Sequence, residues 1–520
     1  MKHKRLFKLG VLLALVNLSL CANLGSLKAA PLSSLTLTFT HGVASGDVRP
    51  LGAVLWTRVN QEVKLKVEVS LDPTFRKKIF KRTVLASADN DFTAKVIARP
   101  LKPDQTYFYR WRHGSSQSEV GAFTTPPLPV LPADVRFAFS GDSDGTRVGG
   151  IPFFNNFEVL DAARMEGLDF FVYLGDTIYS DSPLREQSAK ALDEYHEVHR
   201  VNREIAALRN LLQATSTYAI WDDHEVHNDF DGATVDPLRF ANGRRAFLEY
   251  MPLRTLNLPD DPACADTPLF RMFRWGKDVD LIILDERSCR SADVEVTCRF
   301  DPNNPATFDQ APTLPSMLRT QFGLPESPPP GCLEAIFDPS RTMLGSRQKA
   351  LFKNILLHSQ AKFKFVINEV PIQQFYALPY DRWEGYGAER VEILNFIRAN
   401  HIKNVIFLTT DLHANLMNEV SIDLFLDPEP IADEFVTGPI ATNTAERSIQ
   451  ATVGAAGLVA FNAILDLVGV DCRHLDAFSY GLVEVDTSAE TVTLTLKDDM
   501  GAVLSDQQNP SIVCTKTIGP

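Results

Sequence analysis

Alternation of apolar and polar residues marks the first part of the chain as rich in strands. Residues 63–69 (VKLKVEV) alternate strictly, as expected of a strand with one buried face. Residues 107–111 (YFYRW) are aromatic and also favour a strand. Turn-forming pairs such as Asp72-Pro73 separate the runs. Several short strands within about 90 residues predict a small β-sandwich over residues 36–126.

The pattern changes after a proline-rich linker at residues 124–132 (TTPPLPVLP). Short apolar runs then alternate with helical patterns, which predicts an α/β domain over residues 132–515. Side chains in loops at the carboxyl ends of strands commonly build the site in such folds. Three apolar runs are each followed by an aspartate: 135–139 by Asp142, 170–174 by Asp176 and 404–408 by Asp411.

Two later segments are distinguished by their composition. Residues 449–470 are apolar but interrupted by polar residues, which predicts a buried amphipathic helix and no transmembrane anchor. Residues 291–343 are rich in Pro and Cys and lack periodicity. This segment is therefore expected to be an insertion or a lid held by disulfides.

The N-terminus has the order of an export signal. Residues 1–8 are rich in Lys, Arg and His, and the apolar run at 9–20 is shorter than the about 20 residues that span a bilayer. This order predicts a signal peptide over residues 1–30 and a periplasmic or secreted protein. Residues 4–7 (KRLF) resemble a degenerate twin-arginine signal, which exports proteins already folded around a cofactor.

Composition indicates a soluble globular protein, with 45% hydrophobic and 22% charged residues. The net charge of -13 disfavours a regulator that binds nucleic acid by counterion release. It leaves phosphorylated substrates open, nucleotides included, because bound cations can dominate the local field. We expect a monomer.

The cysteines fit an oxidising compartment. Cys21 lies in the signal region, where a lipoprotein anchor is the weaker alternative because Leu20 precedes it. Six cysteines remain, which predicts three disulfides of unresolved pairing, with buried free thiols as the alternative. No Cys-x-x-Cys pair occurs, so a cysteine zinc site is disfavoured. The six are Cys264, Cys289, Cys298, Cys332, Cys472 and Cys514.

Four polar clusters contain residue types that bind metals. The first, residues 140–145, holds Asp142 and Asp144, although Asp-Gly loops are usually turns. In the second, Asp176 and Tyr179 lie about one helical turn apart, so both can face one ion. A phenolate suits a hard, highly charged ion such as Fe³⁺, whereas a turn aspartate beside a packing tyrosine is the structural alternative.

The third cluster is the dense polar loop at residues 221–229 (WDDHEVHND). Like charges at this density need cations or solvent, so a solvated acidic loop is the alternative to a metal site. In the fourth cluster, Asp411 and His413 are two residues apart after a strand and can point to one side.

The order of the four clusters resembles that of calcineurin-like, purple-acid-phosphatase-like metallophosphoesterases. More closely, the chain is similar to the PhoD-type alkaline phosphatase/phosphodiesterase family from about residue 38 to 485. The resemblance rests on HGVASGD at 41–47, VLWTR at 54–58, LKPDQTYFYR at 101–110, WDDHEV at 221–226, WEGY at 383–386 with Glu389-Arg390, and DLH at 411–413.

The resemblance implies an α/β metallophosphoesterase domain with a β-sandwich core flanked by helices. A small all-β, fibronectin type III-like sandwich domain is expected to precede it. The implied metals are Fe³⁺ and Ca²⁺, with Zn²⁺ or Mn²⁺ as alternatives. The implied ligands are Asp142, Asp176, Tyr179, Asn228, Asp411 and His413.

Two of these positions depart from the family pattern. The family often has a cysteine where Asp142 stands; a carboxylate is a harder donor than a thiolate and should shift the potential and metal choice of the iron. Asp144 is a substitute ligand at this place. Asp229 stands where the family has a second asparagine, so Asn228 and Asp229 are alternative ligands.

The expected activity is hydrolysis of phosphate monoesters or diesters by a metal-activated water. Asp223 and His224 are expected to contact metal, phosphate or leaving group. Arg287 and Arg390 are candidates for clamping phosphate, with structural ion pairs as the alternative. Two other functions stay open: a phospholipase D-like diesterase on lipid or cell-wall polymers, and a non-catalytic secreted binding protein.

Overall fold

Buried apolar runs become strands through most of the chain. The computed structural model describes residues 36–254 and 269–519. The predicted run at 135–139 lies inside a longer strand, and the run at 170–174 forms a fully buried strand of five residues. Both runs are rich in Phe, whose aromatic ring packs well on a pleated surface. The signal peptide predicted at 1–30 lies outside the described residues.

The strands alternate with helices beyond residue 132, as the pattern predicts. The strands are β1 (Val43–Arg49), β2 (Gly52–Arg58), β3 (Val63–Ser70), β4 (Lys78–Ala86), β5 (Thr93–Ala98), β6 (Gln105–His113), β7 (Ser116–Gln117), β8 (Gly121–Thr125), β9 (Val135–Ser143), β10 (Arg147–Val148), β11 (Ile151–Pro152), β12 (Phe170–Leu174), β13 (Ser216–Ile220), β14 (Arg271–Trp275), β15 (Val279–Ile283), β16 (Phe363–Ile367), β17 (Val405–Thr409), β18 (Asn415–Val420), β19 (Ala432–Val436), β20 (Pro439–Ala441), β21 (Cys472–His474), β22 (Ser479–Asp486), β23 (Thr491–Asp498) and β24 (Thr515–Ile518). The α-helices are α1 (Glu158–Arg164), α2 (Leu192–Arg203), α3 (Ala206–Ala214), α4 (Pro237–Tyr250), α5 (Ser316–Gln321), α6 (Cys332–Ile336), α7 (Gly345–His358), α8 (Gly387–Ala399) and α9 (Ala445–Val468).

Two large sheets face each other across the main hydrophobic core. The ten-stranded sheet has the order β24-β23-β22-β9-β12-β13-β1-β2-β5, with β20 paired to β9, and the seven-stranded sheet has the order β14-β15-β16-β17-β19-β18-β21. Aromatic side chains join the two inner faces: Phe137 packs edge-on against Phe365 with ring centroids 5.1 Å apart, and Phe170 lies 4.7 Å from Trp275. This packing is the β-sandwich expected for the larger domain.

Helices cover the outer faces of the sandwich. Phe352 of α7 and Leu394 of α8 share a core with Val366 and Phe407 of the seven-stranded sheet. Helices α1 and α3 contribute to the core of the ten-stranded sheet. The expectation of a sandwich flanked by helices is therefore confirmed.

The N-terminal strands divide between two sheets. β3, β4, β6, β7 and β8 form a five-stranded sheet of their own. β1, β2 and β5 instead extend the ten-stranded sheet, because β1 pairs in parallel with β13 through Ser45 and Ser216. The described residues from Leu37 onward form one compact unit. The all-β character of this region is observed, whereas the boundary between 126 and 132 and the fibronectin type III likeness stay predictions.

The apolar segment near the C-terminus is helical, but the prediction that it is buried was wrong. Helix α9 contains an 18-residue window with a mean hydropathy of 1.8, of which 17% is buried. It is long and apolar enough to cross a membrane by length and composition alone, a property that core helices and signal sequences share. Its backbone is interrupted at Gly454, where φ is 71°.

Disulfides form among the predicted cysteines. Cys298 pairs with Cys332 inside the predicted insertion, and Cys472 pairs with Cys514 near the C-terminus. Cys289 is also disulfide-bonded. Cys264 lies outside the described residues. The insertion contains α5 and α6 and packs on the loop at 376–386, where the Tyr380 hydroxyl donates to the Asp309 carbonyl.

Candidate metal centre

The first candidate ligands lie at the carboxyl ends of parallel strands, at one edge of the ten-stranded sheet. β9, β12 and β13 are parallel neighbours, so their carboxyl ends meet at that edge. The backbone N–H of Ser143 donates to the Asp176 carbonyl at 2.8 Å and fixes the two loops together. Gly175 has a φ of 98°, and a Cβ there would lie 2.7 Å from the Asp222 Cβ. Only glycine fits the close approach that precedes Asp176.

Four predicted ligands have backbone angles in the left-handed region. The φ angle is 58° at Asp142, 44° at Asp176, 70° at Asp411 and 53° at His413. Residues other than glycine rarely adopt this region, and each such position costs of order 1–3 kcal/mol. Strained positions that cluster at one place in a fold indicate a functional site.

The first group of donor atoms brings together residues far apart in sequence. Oxygen atoms of Asp142 and Asp176 and a ring nitrogen of His413 lie within 4.8 Å of one another. The Tyr179 hydroxyl is 3.1 Å from the His413 Nε2. One oxygen of Asp142 accepts from the Thr410 hydroxyl, while the other is buried without a hydrogen-bond partner among the described residues. Four predicted ligands thus converge on a space that one cation fits.

A second group shares Asp176 with the first. Donor atoms of Asp176, Asp223 and His224 also lie within 4.8 Å of one another. The His224 ring stacks on the Tyr179 ring at 4.1 Å, and its Nδ1 is 2.6 Å from an oxygen of Asp181. Because Asp176 belongs to both groups, its carboxylate could contact a cation held by either of them.

A third group contains a residue that the sequence did not single out. Carboxylate oxygens of Asp223, Asp229 and Asp381 lie within 4.8 Å of one another. Asp381 lies two residues before the WEGY motif at 383–386. This proximity was the signal in the sequence that could have identified it. Asn228 is exposed, and its Nδ2 donates to Asp229 at 2.6 Å. The structure places both alternative ligands side by side, so the choice between them stays open.

Asp411 and Asp144 lie at the margin of these groups. Within residues 36–254 and 269–519, neither side chain belongs to the three groups of donor atoms. The Asp411 backbone amide acts to lower the pKa of Asp142, against the larger effect of burial. Asp144 is buried and accepts from the Ser182 hydroxyl at 2.6 Å. The part played by either residue in holding a metal remains a prediction.

The two arginines have different surroundings. Arg287 is fully buried and donates to Asp222 at 2.5 Å and to both oxygens of Asp381 at 2.7 Å. It lies 3.9 Å from Asp223 and therefore borders the third group. Arg287 therefore lies beside the candidate metal centre, and its role in clamping phosphate stays a prediction.

Arg390 is part of the scaffold, which corrects its expected role as a phosphate clamp. Its guanidinium donates to the backbone carbonyls of Ile372, Ser421 and Ile422. None of these carbonyls belongs to the centre, and all three guanidinium nitrogens are engaged. Arg390 therefore has a structural role, which was the alternative to clamping phosphate. Its partners are backbone carbonyls and not the carboxylate of an ion pair.

The electrostatics of the centre favour bound cations. Burial raises the pKa of Asp142 to about 7, and burial together with the Asp381 charge raises the pKa of Asp229 to about 8. Burial and the charge of Asp223 raise the pKa of Asp176 well above its ordinary range. Carboxylates crowded in a buried site repel one another unless a cation or proton neutralises them. Hard oxygen donors with an imidazole and a phenol therefore fit cations, without fixing which metals bind.

Two protein-family models match the chain. The model described as PhoD-like phosphatase matches residues 148–496, and the model described as PhoD-like phosphatase, N-terminal domain, matches residues 26–127. The first match covers more than half of the chain and includes all candidate ligands except Asp142 and its alternative Asp144.

Relatives and solved structures agree with these matches. Alkaline phosphatase D of Bacillus subtilis (strain 168) is 29% identical over 429 residues, covering 74% of this chain and 66% of the relative, so the chain spans slightly less than two thirds of its length. A solved structure of PhoD has a TM-score of 0.72 at 24% identity and covers 90% of this chain and 92% of that one. Purple acid phosphatase PPD1 from yellow lupin (Lupinus luteus) seeds has a TM-score of 0.53 at 11% identity, covering 92% and 73%. The two structures support the same fold.

Proposed function

Because the chain belongs to the PhoD-like phosphatase family, we propose that it is an exported, metal-dependent hydrolase of phosphate esters. The observation that carries the proposal is the convergence of Asp142, Asp176 and His413 within 4.8 Å, with Tyr179 in contact with His413. A structural metal site needs no second group beside it. The second group, which shares Asp176, could hold a second cation, and two cations together would bind a substrate phosphate.

The proposed ligands are those that the sequence predicts. Asp142, Tyr179 and His413 would hold one cation, Asp176 would bridge, and Asp223 with Asp229 or Asn228 would hold a second, with Asp411 at the margin. Bound Fe³⁺ and Ca²⁺ would supply positive charge that binds phosphate oxygens and lowers the pKa of water. Asp142 offers iron an oxygen donor where relatives often offer sulfur, so Zn²⁺ or Mn²⁺ are alternatives.

His224 is proposed to donate a proton to the leaving oxygen. Burial alone would lower its pKa, but the carboxylates of Asp223 and Asp181 raise it to about 10. In the metal-free protein the imidazole is therefore protonated at neutral pH, and its Nδ1 is held by Asp181. Nε2 is left to face the centre, 3.9 Å from Asp176. A group fixed by a second residue and carrying a proton has the features of a general acid.

Arg287 is proposed to hold the two acidic loops in place. Its effect on phosphate binding is indirect, because it positions the groups of these loops. It links Asp222 in the 221–229 loop to Asp381 in the 376–386 loop. Both loops border the third group of donor atoms. A buried guanidinium with two carboxylate partners keeps these loops in register and balances part of their charge.

Export is proposed from two independent features. The N-terminal residues have the order of a signal peptide. Disulfides such as Cys298–Cys332 form in oxidising compartments outside the cytoplasm. Residues 36–126 are proposed to be a fibronectin type III-like domain that precedes the catalytic domain at 132–515.

Chelation and reconstitution test the proposed function. Purified protein is assayed with p-nitrophenyl phosphate and bis(p-nitrophenyl) phosphate before and after dialysis against a chelator. Both activities should be lost and should return with Fe³⁺ and Ca²⁺ or a replacement divalent ion. The ratio of the two rates shows whether monoesters or diesters are preferred. Full activity in protein free of metal would exclude the proposal.

A further inference from the structure

A second region of the molecule concentrates cationic side chains, although the whole chain carries a net charge of -13. Two adjoining cavities lie along the edge strand β5 and share Arg99. The larger, about 680 Å³, is lined by Arg49, Arg99 and Arg254. The smaller, about 400 Å³, is lined by Arg82, Lys95 and Arg99. These five cations and the two cavities are called the basic groove.

Two cations of the basic groove have no acidic partner. Within residues 36–254 and 269–519, no Asp or Glu lines either cavity. No carboxylate in these ranges lies within 4.0 Å of the side-chain nitrogens of Arg82 or Arg99. Most other arginines in these ranges do have such partners, as Arg58 has Asp91. The charges of Asp47 and Glu249 act on Arg254 and Lys95, so Arg82 and Arg99 supply the unpaired positive charge of the groove.

The cations of the groove affect one another. Burial and then the charge of Arg49 lower the pKa of Arg254, and the charge of Arg99 adds to the effect. Burial lowers the pKa of Lys95 to about 8. An anion bound between these groups would relieve their repulsion. The arrangement therefore favours a negatively charged ligand.

Several of these side chains are already held in place. The Arg49 guanidinium lies 4.6 Å from the centre of the Phe273 ring and donates to the Met272 carbonyl. The Lys95 ammonium donates to carbonyls of α4 and of Met251, which follows it. Prearranged cations lose less conformational entropy on binding a ligand than free surface lysines do.

Apolar side chains complete the walls of the larger cavity. Leu51, Leu128 and three prolines line it together with the arginines. Leu51 is 57% exposed and Leu128 is 40% exposed, so both offer apolar surface to a ligand. A ligand with carbon units between its charges would contact both kinds of surface.

From these features we propose that the basic groove binds an extended polymer with a phosphodiester backbone. Two cavities joined at Arg99 fit a linear ligand that places successive phosphates in each. Guanidinium groups are well suited to phosphate oxygens, and the apolar walls take the carbon units between phosphates. This binding does not depend on hydrolysis and adds a site outside the metal centre.

One residue of the groove can be placed relative to the metal centre by strand order. Arg49 ends β1, which runs parallel to β13, and β13 runs parallel to β12 ahead of Asp176. One strand separates β1 from β12. Neighbouring strands lie about 4.8 Å apart, so β1 and β12 are about two such spacings apart within the sheet.

Binding of a labelled oligomer to the metal-replete protein tests the proposal. The probe is a fluorescein-labelled phosphorothioate oligothymidylate, followed by fluorescence anisotropy at several salt concentrations. The variant Arg82→Ala/Arg99→Ala removes two exposed cations. Its affinity should fall about tenfold or more, and its dependence on salt should weaken by roughly one counterion per arginine.

Two controls separate the groove from general charge effects. Lys362→Ala/Arg398→Ala changes the net charge equally at a half-buried lysine and an exposed arginine outside the groove and should bind the probe as the wild type does. A methylphosphonate oligomer of the same length, which lacks backbone charge, should not bind. Equal affinity of the wild type and the groove variant would overturn the proposal, as would equal losses in both double variants. Thermal unfolding confirms that the variants fold, and turnover of bis(p-nitrophenyl) phosphate reports separately on the metal centre.

Discussion

The two histidines of the metal centre are in opposite electrostatic surroundings. Burial lowers the pKa of His413 to about 4, so its imidazole is neutral and its ring nitrogen is free to bind a metal. In the metal-free protein His224 is instead protonated beside Asp181 and Asp223. The same residue type is thus proposed as a ligand at one position and as a proton donor at the other.

The proton-donor role predicts an effect that depends on the leaving group. His224→Asn should lower kcat for an alkyl phosphate ester by about 10²–10⁴-fold, because an alkoxide needs a proton to leave. The loss for a p-nitrophenyl ester should be much smaller, since p-nitrophenolate leaves unprotonated. Steady-state rates with both esters measure the difference. The matched control is His227→Asn, a neighbouring histidine that contacts the Asn228 carbonyl. Equal losses with both esters would assign His224 a purely structural part.

The two arginines should separate stability from activity. Arg390→Lys should lower the free energy of unfolding by about 1–3 kcal/mol, since buried carbonyls lose donors, while kcat/KM of the folded protein changes little. Arg287→Lys should lower both, because a lysine cannot pair with Asp222 and Asp381 in the same geometry. Denaturant unfolding and bis(p-nitrophenyl) phosphate kinetics are the measurements. A large loss of kcat/KM in folded Arg390→Lys would show that Arg390 contributes to the activity of the centre.

At the scale of secondary structure, periodicity predicts strands better than it predicts burial. Residues 63–69 alternate strictly and form β3, because a half-buried strand has only one way to place its apolar side chains. Residues 449–470 are apolar enough to be a core helix, yet only 17% of the apolar window of α9 is buried. Whether a helix is covered depends on its tertiary neighbours, which the local pattern does not contain.

The convergence of candidate metal ligands was predictable where they follow strands and not where they lie in irregular loops. Asp142 and Asp176 end parallel strands, so their meeting follows from the fold class. Asp381 lies in a loop held by the insertion, and its approach to Asp223 depends on contacts between distant segments. Arg390 belongs to the Glu389-Arg390 pair on which the family resemblance partly rests. Its contacts with backbone carbonyls, which the sequence does not contain, show that this arginine has a structural role.

The disulfide between Cys472 and Cys514 should stabilise the C-terminal strands. It joins β21 to the residue before β24 across 42 positions. Cys472→Ser/Cys514→Ser should lower stability by about 2–4 kcal/mol, mainly by giving the unfolded chain more freedom. Thermal unfolding of the double variant in non-reducing buffer measures the loss. An unchanged midpoint would show that the sheet holds these strands without the covalent link.

At the scale of the whole molecule, the first and last parts of the chain are built into one sheet. β1 and β2 lie on one side of β13, and β22 to β24 lie on the far side of β9. The strands that carry the metal loops are therefore central, with neighbours on both sides. A central position limits their movement and keeps the ligands at fixed separations.

Metal should also change how the stability of the molecule depends on pH. Burial raises the pKa of Asp142 to about 7, and burial with the charge of Asp223 raises the pKa of Asp176 well above its ordinary range, whereas unfolded carboxyl groups titrate near about 4. The metal-free folded state therefore holds protons that the unfolded state has lost, and its stability should fall as the pH rises from about 5 to 8. Cations bound to the carboxylates should reduce this fall.

Thermal unfolding at pH 5 and pH 8 compares the metal-free and metal-replete forms. The difference between their midpoints should be larger at pH 8. A difference that is the same at both pH values would show that these carboxyl groups do not hold the metal.

The most direct test of the metal centre is Asp176→Asn, since Asp176 belongs to two of the three groups of donor atoms. Metal content by mass spectrometry and turnover of bis(p-nitrophenyl) phosphate are measured on the same preparations. Asp193→Asn, an exposed position on α2, is the matched control. We predict that Asp176→Asn loses most of its bound metal and its turnover together, while the control keeps both. A folded Asp176→Asn protein with wild-type metal content and turnover would contradict the account.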